Sequence, residues 1–242
     1  MEIPENGICV LFEEGEIGHG VDRIVRMGTH TGDNQLPSRL RQHFQNKNKD
    51  RSIFRKNIGR ALLNKNANSY LNIWEYDLTK KEDKDKYERY IDIEFQQKIE
   101  KEITEILQSK FSFVVFEVKD KEERLILESK LISAVSKCKK CGPSQAWLGK
   151  NLTKEKIVES GLWLVNELYK DSFTKKELEE VAKRYLNFNE KTSETLKNSE
   201  HEFSVKEAVW ISAALLSLDM VTQISWKSHL FDKIIDITKQ IK

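Results

Sequence analysis

Leu36-Pro37-Ser38-Arg39-Leu40-Arg41-Gln42-His43-Phe44 lies a few residues past a short apolar strand that ends in Met27-Gly28. Pro37 suits the first helical position, where its missing N–H costs nothing and its fixed φ is already helical. Helical spacing then puts Leu36, Leu40 and Phe44 on one face, with Arg39 and His43 one turn apart on another. A guanidinium that is always charged, beside an imidazole that changes charge near neutral pH, suits a phosphate ester. A surface helix with ordinary polar residues would read the same way in isolation.

Upstream of this helix, residues 8–12 and 23–27 are short apolar runs joined by a polar stretch containing Gly15, Gly18 and Gly20, which predicts a β-hairpin. Downstream, Asp50 is placed to cap a helix over 51–63 with Ile53, Phe54, Ile58 and Leu62 as its buried stripe. Its other face is cationic. Between 39 and 60 stand Arg39, Arg41, Lys47, Lys49, Arg51, Arg55, Lys56 and Arg60 against the single acid Asp50, so the net charge of +2 conceals a local positive field of the kind that tracks a phosphodiester backbone. Arg41, Arg51, Arg55, Lys56 and Arg60 are accordingly the candidate nucleic-acid contacts.

Residues 65–86 read as an irregular charged excursion around Tyr70, Trp74 and Tyr76, followed by a helix over 91–107 with Phe95, Ile99, Ile103 and Ile106 at helical spacing. Residues 111–118, β-branched and aromatic almost throughout, form the clearest strand and are expected at the centre of the sheet. Asp120 can cap a helix over 121–135, striped by Leu127, Leu131 and Val135. Glu128 stands within this apolar stretch, and a carboxylate there must reach solvent or find a cation or metal, because burying it unpaired is costly.

Composition excludes several classes. The 242 residues, 38% hydrophobic and 33% charged, suffice for a real core. The longest apolar run, 208–221, is broken by Ser212, Ser217 and Asp219 and is too short to span a bilayer. No charged-then-apolar leader opens the chain, and three cysteines fit a reducing compartment better than a disulfide scaffold, so a cytoplasmic location without membrane association is expected. Cys138-Lys139-Lys140-Cys141 is half a zinc site with no second pair to complete it, and reads as a helix-ending turn before Gly142-Pro143.

Taken in order, these elements resemble the GIY-YIG nuclease family, which includes intron homing endonucleases, excision-repair incision nucleases and some restriction enzymes. Gly7-Ile8-Cys9 stands where the first family triplet stands and Arg26-Met27-Gly28 where the second does. The segment 38–44 looks like the family's arginine helix, with His43 four residues after Arg39. Leu127-Glu128-Ser129-Lys130-Leu131-Ile132 resembles its glutamate helix, and Trp147-Leu148-Gly149-Lys150-Asn151 is similar to the segment bearing its late asparagine. The resemblance covers about residues 7–151, with an insertion around 65–110. It implies an α+β fold, a small mixed sheet with flanking helices, over residues 1–151. Residues 152–242 then form a helical C-terminal region, with capping boxes at Thr174/Glu177 and Ser204/Glu207 and apolar helices over 205–221 and 226–241. The apolar face of 208–221 offers a surface for a homodimer or for an intramolecular bundle.

The chemistry implied by the resemblance is metal-assisted hydrolysis of a DNA phosphodiester. Negative charge grows on the nonbridging and leaving oxygens, so a fixed guanidinium and a divalent cation are the needed stabilisers. Arg39 would supply the first, and Glu128 would hold Mg²⁺, a hard cation that keeps several waters and so can be served by one carboxylate. His43 would bind a phosphate oxygen or move a proton, and Asn151 would orient the glutamate or the phosphate. Both family tyrosines are replaced, by Cys9 and Arg26. Arg26 adds a second cation but cannot act as a base, which leaves His30, His43 or water on the cation; for Cys9 a small core hydrophobe is the simpler reading. Two function classes follow: a DNA endonuclease of restriction or defence type, or a nucleic-acid-binding module that kept the scaffold and lost hydrolysis.

Overall fold

The computed structural model describes residues 3–18, 21–174, 176–177 and 180–181. Its framework is a three-stranded sheet of β1 (Gly7–Gly18), β2 (Val21–Gly28) and β3 (Phe111–Glu117) in the order β2-β1-β3. Cys9 pairs with Gly28 on one side and with Val115 on the other, and both pairings are antiparallel. The α+β class expected from the sequence is present, with an antiparallel rather than a mixed sheet.

The two-residue period of β1 builds two cores. Cys9 and Leu11 face one side, joined by Val25, Phe111 and Phe113. Ile8, Val10 and Phe12 face the other, with Ile24, Met27 and Val114. Helices α1 (Leu36–Phe44), α2 (Ile53–Lys65) and α5 (Ile93–Lys110) cover the first face, and α6 (Lys121–Ser136) covers the second. Burial on both faces explains the unbroken apolar run of β3. That strand is an edge and β1 is central, contrary to the expectation from composition, because burial of faces and position in the sheet are independent properties.

The hairpin is longer than its apolar residues indicated. Beyond Phe12 the ladder slips and resumes at Ile17 opposite Asp22, with Gly15 at φ +85° inside the irregularity. Of the intervening carboxylates Glu14 is exposed, whereas Glu13 and Glu16 are buried and satisfied: Glu13 accepts the indole N–H of Trp147 and of Trp163, each at 2.9 Å, and Glu16 meets Arg23 at 2.6 Å. Capping follows local chemistry. Asp92 and Asp120 accept from Phe95 and Glu123 at the starts of α5 and α6. Ser52, not Asp50, caps α2, because Asp50 sits in a single 3₁₀ turn with its carboxylate held by Lys49 at 2.7 Å.

The excursion after α2 contains two short helices, α3 (Leu71–Trp74) and α4 (Lys81–Tyr87). Trp74 anchors it: the buried indole donates to the Lys56 carbonyl at 3.0 Å and lies against Gly59, where a Cβ would stand 2.3 Å from the ring. After α6 the chain runs through α7 (Glu155–Ser160), ended by Gly161 at φ +68°, and Trp163 donates its backbone N–H to Val25 at 2.8 Å. The Thr174 capping box closes reciprocally with Glu177, at 2.8 and 3.3 Å. The second capping box, the helices over 205–221 and 226–241 and the self-association face all lie outside the described residues.

Candidate active site

The end of β2, the start of the next loop and the middle of α6 meet at Glu128. Gly28 lacks a side chain where a Cβ would approach Glu128 Oε1 to 3.9 Å, and the next backbone N–H, that of Thr29, donates to that oxygen at 2.8 Å. Thr29 Oγ1 donates to the Gly7 carbonyl at 2.7 Å, tying the start of the first signature triplet to the residue that follows the second. Burial pushes the Glu128 carboxyl above its ordinary value, while the Thr29 N–H and the Arg26 and Arg39 charges pull it back.

Arg26 is buried. Its guanidinium donates to the Trp163 carbonyl and lies 5.0 Å from the centre of the Phe54 ring. Burial lowers it to about 10, opposed by the charge of Glu128. Arg39, half-buried on α1 and steadied by Gln42 at 2.8 Å, is likewise lowered by burial and held charged by Glu128. His43, one turn on, is buried with Nδ1 2.7 Å from Ser52 Oγ and its ring edge-on to Phe54. Burial, then the charges of Arg26, Arg39 and Arg55, hold it well below the ordinary histidine range, so the ring is neutral. Arg26 on β2 and Arg39 on α1 thus act electrostatically on both His43 and Glu128.

Other expected site residues stand elsewhere. His30 has both ring nitrogens taken by backbone, Nδ1 by the Gly32 carbonyl at 2.6 Å and Nε2 by the Gly7 N–H at 3.4 Å, so it braces the turn after β2 instead of offering a base. Asn151 bonds to the Leu148 carbonyl, and its own carbonyl accepts from Asn64 near the end of α2, two helical turns or about 10 Å along from Asn57 at the site. The cationic face of α2 is turned into the protein. Arg55 is fully buried against Glu100 at 2.6 Å, Arg60 grips Glu75 through two bonds, and Lys56 meets the Glu75 carbonyl at 2.8 Å, which removes all three as nucleic-acid contacts. Arg51 is exposed and Arg41 half-buried, and among the described residues neither is paired with a carboxylate. Cys9 is a core thiol raised by burial.

Beside Glu128 opens a cavity of about 390 Å³, bounded by the first turns of α2, by α6 and by the segment after Trp163. Two amides reach it that sequence reading passed over, Asn57 and Asn166. Asn57 was hidden among the cations of α2. Asn166 follows Trp163-Leu164-Val165, and its only signal was a polar residue directly after a buried segment. Ile53, expected in the core stripe, is instead 48% exposed and lines the cavity, while its neighbours Phe54 and Arg55 are buried.

The sequence model of the GIY-YIG domain matches residues 1–191. The chain belongs to the GIY-YIG domain family. No curated protein and no solved structure matches it. GIY-YIG proteins are endonucleases as a family, and they use divalent metal ions. The donor chemistry here fits such an ion: Glu128 offers a carboxylate with one oxygen fixed by Thr29, and Glu167 lines the same cavity. Among the described residues no group of three or more His, Cys, Asp or Glu is placed to hold a metal ion. No helix of the described residues is long and apolar enough to cross a membrane.

Proposed function

We propose that this GIY-YIG protein is an Mg²⁺-dependent endonuclease that hydrolyses phosphodiester bonds of DNA, of restriction or defence type and acting inside the cell. The observation that carries the reading is that Arg26 and Glu128 line one cavity, the carboxylate fixed by the Thr29 N–H 99 residues away in the chain, with the charge of Arg39 also acting on it. Two guanidiniums and one carboxylate suit a site for a phosphate and its counter-cation.

Each residue then has a physical task. Arg39, half-exposed, binds a nonbridging oxygen and offsets its growing charge; Arg26, anchored on the Trp163 carbonyl, adds a fixed positive field from below. Glu128 would hold the divalent cation, which when bound would supply Lewis-acid stabilisation of the phosphate. His43 is neutral and held at Nδ1 by Ser52, so Nε2 remains to accept or pass a proton, a task that Arg26 cannot perform and His30 is not free to perform. Asn166, at the cavity, is better placed than Asn151 to orient the substrate.

Purified protein incubated with plasmid and Mg²⁺ tests the reading. Nicking or linearisation is expected, and Arg39→Ala and Glu128→Ala should each reduce it by about 100–1,000-fold or more. Salt-sensitive binding to DNA without cutting by the wild-type chain would assign the binding module instead.

A further inference from the structure

A second recess, of about 310 Å³, lies where the connection between α1 and α2 meets the insertion. Residues 47–51 form one wall, and Leu78, Thr79, Gln96 and Glu100 form the other. Leu78 supplies its only apolar side chain among the described residues, so what the recess can hold is decided by hydrogen bonds and charge.

Every carboxylate and amide oxygen in that lining already accepts a hydrogen bond from the protein. Asp50 Oδ1 accepts from the Lys49 ammonium at 2.7 Å, and Oδ2 from the Leu78 N–H at 3.3 Å. Glu100, buried, takes the Lys49 N–H on Oε1 at 2.5 Å and Arg55 on Oε2 at 2.6 Å. Asn48 Oδ1 takes the N–H groups of Asp50 and Arg51 at 3.0 and 3.3 Å, and Gln96 Oε1 takes the Tyr70 hydroxyl at 3.4 Å. None of these bonds uses the NH₂ groups of Asn48 and Gln96 or the charged ends of Lys47 and Arg51, so the recess is left with donors to give. Charge points the same way. Asp50 and Glu100 are matched by Lys49 and Arg55, whereas Lys47 and Arg51 are exposed and, among the described residues, paired with no carboxylate. A small anion with several acceptors and no donor fits this arrangement, and a phosphate is such a group.

Position identifies the source of that phosphate. Arg51 lines this recess and Ile53 lines the cavity beside Glu128, and two residues of chain separate their Cα atoms by no more than about 7 Å. Building on the nuclease reading, we propose that this recess holds a backbone phosphate of the same DNA, close along the strand to the scissile one, gripped by Lys47 and Arg51 and by the amides of Asn48 and Gln96. Such a contact reads no base. It fixes the register of the strand and so delivers the scissile phosphate to Arg39 and Glu128, which gives the insertion, through Gln96 on α5, a part in positioning substrate.

The test uses the full chain and a fluorescein-labelled duplex, with Ca²⁺ in place of Mg²⁺ under conditions checked for absence of cleavage, and reads affinity by anisotropy across salt concentration. Lys47→Ala and Arg51→Ala should each lower the slope of log affinity against log salt by about one, and the double variant by little more, because all three lose the same phosphate. Gln96→Glu keeps an oxygen for Tyr70 and turns the NH₂ into a second carboxylate oxygen, which pairs with the two cations and repels phosphate. It should melt as the wild type does and bind DNA about ten-fold more weakly. Inorganic pyrophosphate titrated calorimetrically into the DNA-free protein should bind no tighter than about 1 mM. Unchanged slopes in the single variants, a loss of about two in the double variant, or wild-type affinity in a folded Gln96→Glu protein overturns the recess, while cleavage by the wild-type chain in Mg²⁺ leaves the nuclease reading intact. Micromolar binding of pyrophosphate that Gln96→Glu abolishes makes a free anion the occupant and overturns the backbone phosphate. Failure of the wild-type chain to bind or cut any DNA overturns both readings.

Discussion

At the scale of single residues, burial disfavours the charged forms of both Glu128 and His43 and so shifts the two in opposite directions. The Glu128 carboxyl is raised above its ordinary value, so its ionised form opposes folding once the pH passes the folded-state value. Glu128→Gln should therefore raise the melting temperature at pH 8, and the gain should fade as the pH falls from the raised folded-state value toward 4.5, below which both folded and unfolded chains carry the proton; thermal melts across pH check this. His43 is lowered, so the unfolded chain takes up a proton near 6.5 that the folded one refuses. Stability should then fall on acidification below about pH 6.5, with a slope of up to about 1.4 kcal/mol per pH unit, and His43→Gln should flatten that slope. The order Arg39, His43, Glu128 was legible in the sequence. Asn57 and Asn166 were not, because an asparagine carries no periodic signal and its role depends on which cavity its amide meets.

Helix α2 shows where element-scale reading succeeds and fails. Its existence and its packing through Phe54 and Ile58 follow from spacing, and both side chains are fully buried. Its cationic face was read as solvent-facing because the acids that neutralise it, Glu75 and Glu100, lie 15 and 45 residues away and no local pattern reports them. The consequence can be measured. Removing one partner of a buried pair strands the other, so Arg55→Ala should cost about 3–5 kcal/mol in chemical denaturation while leaving the salt dependence of DNA binding unchanged. Arg51→Ala, at an exposed position, should leave stability unchanged and lower the slope of log affinity against log salt by about one.

At the scale of the whole molecule, a small sheet buried on both faces brings distant segments to one site. Local patterning revealed the strands and helices, and the ordered motifs revealed the family. The strand order was hidden because β1 and β3 are equally apolar. The return of Trp163 onto β2 is a contact across 137 residues, with no counterpart in the motif alignment. Gly7 occupies its position because a Cβ there would stand 2.3 Å from the Phe116 carbonyl oxygen, so Gly7→Ala should disturb the β1–β3 ladder and lower the melting temperature. Trp163 is fully buried, shares Glu13 with Trp147 and receives Arg26, so Trp163→Ala should cost about 3–5 kcal/mol.

The central claim is that Arg39 and Glu128 serve one phosphate as a unit. A double-mutant cycle on the single-turnover cleavage rate in Mg²⁺, using Arg39→Ala, Glu128→Gln and their combination, tests it most directly. If the two groups act together, the double variant loses little more than the more damaged single variant. Losses that multiply would place the guanidinium and the carboxylate in independent roles and contradict the account.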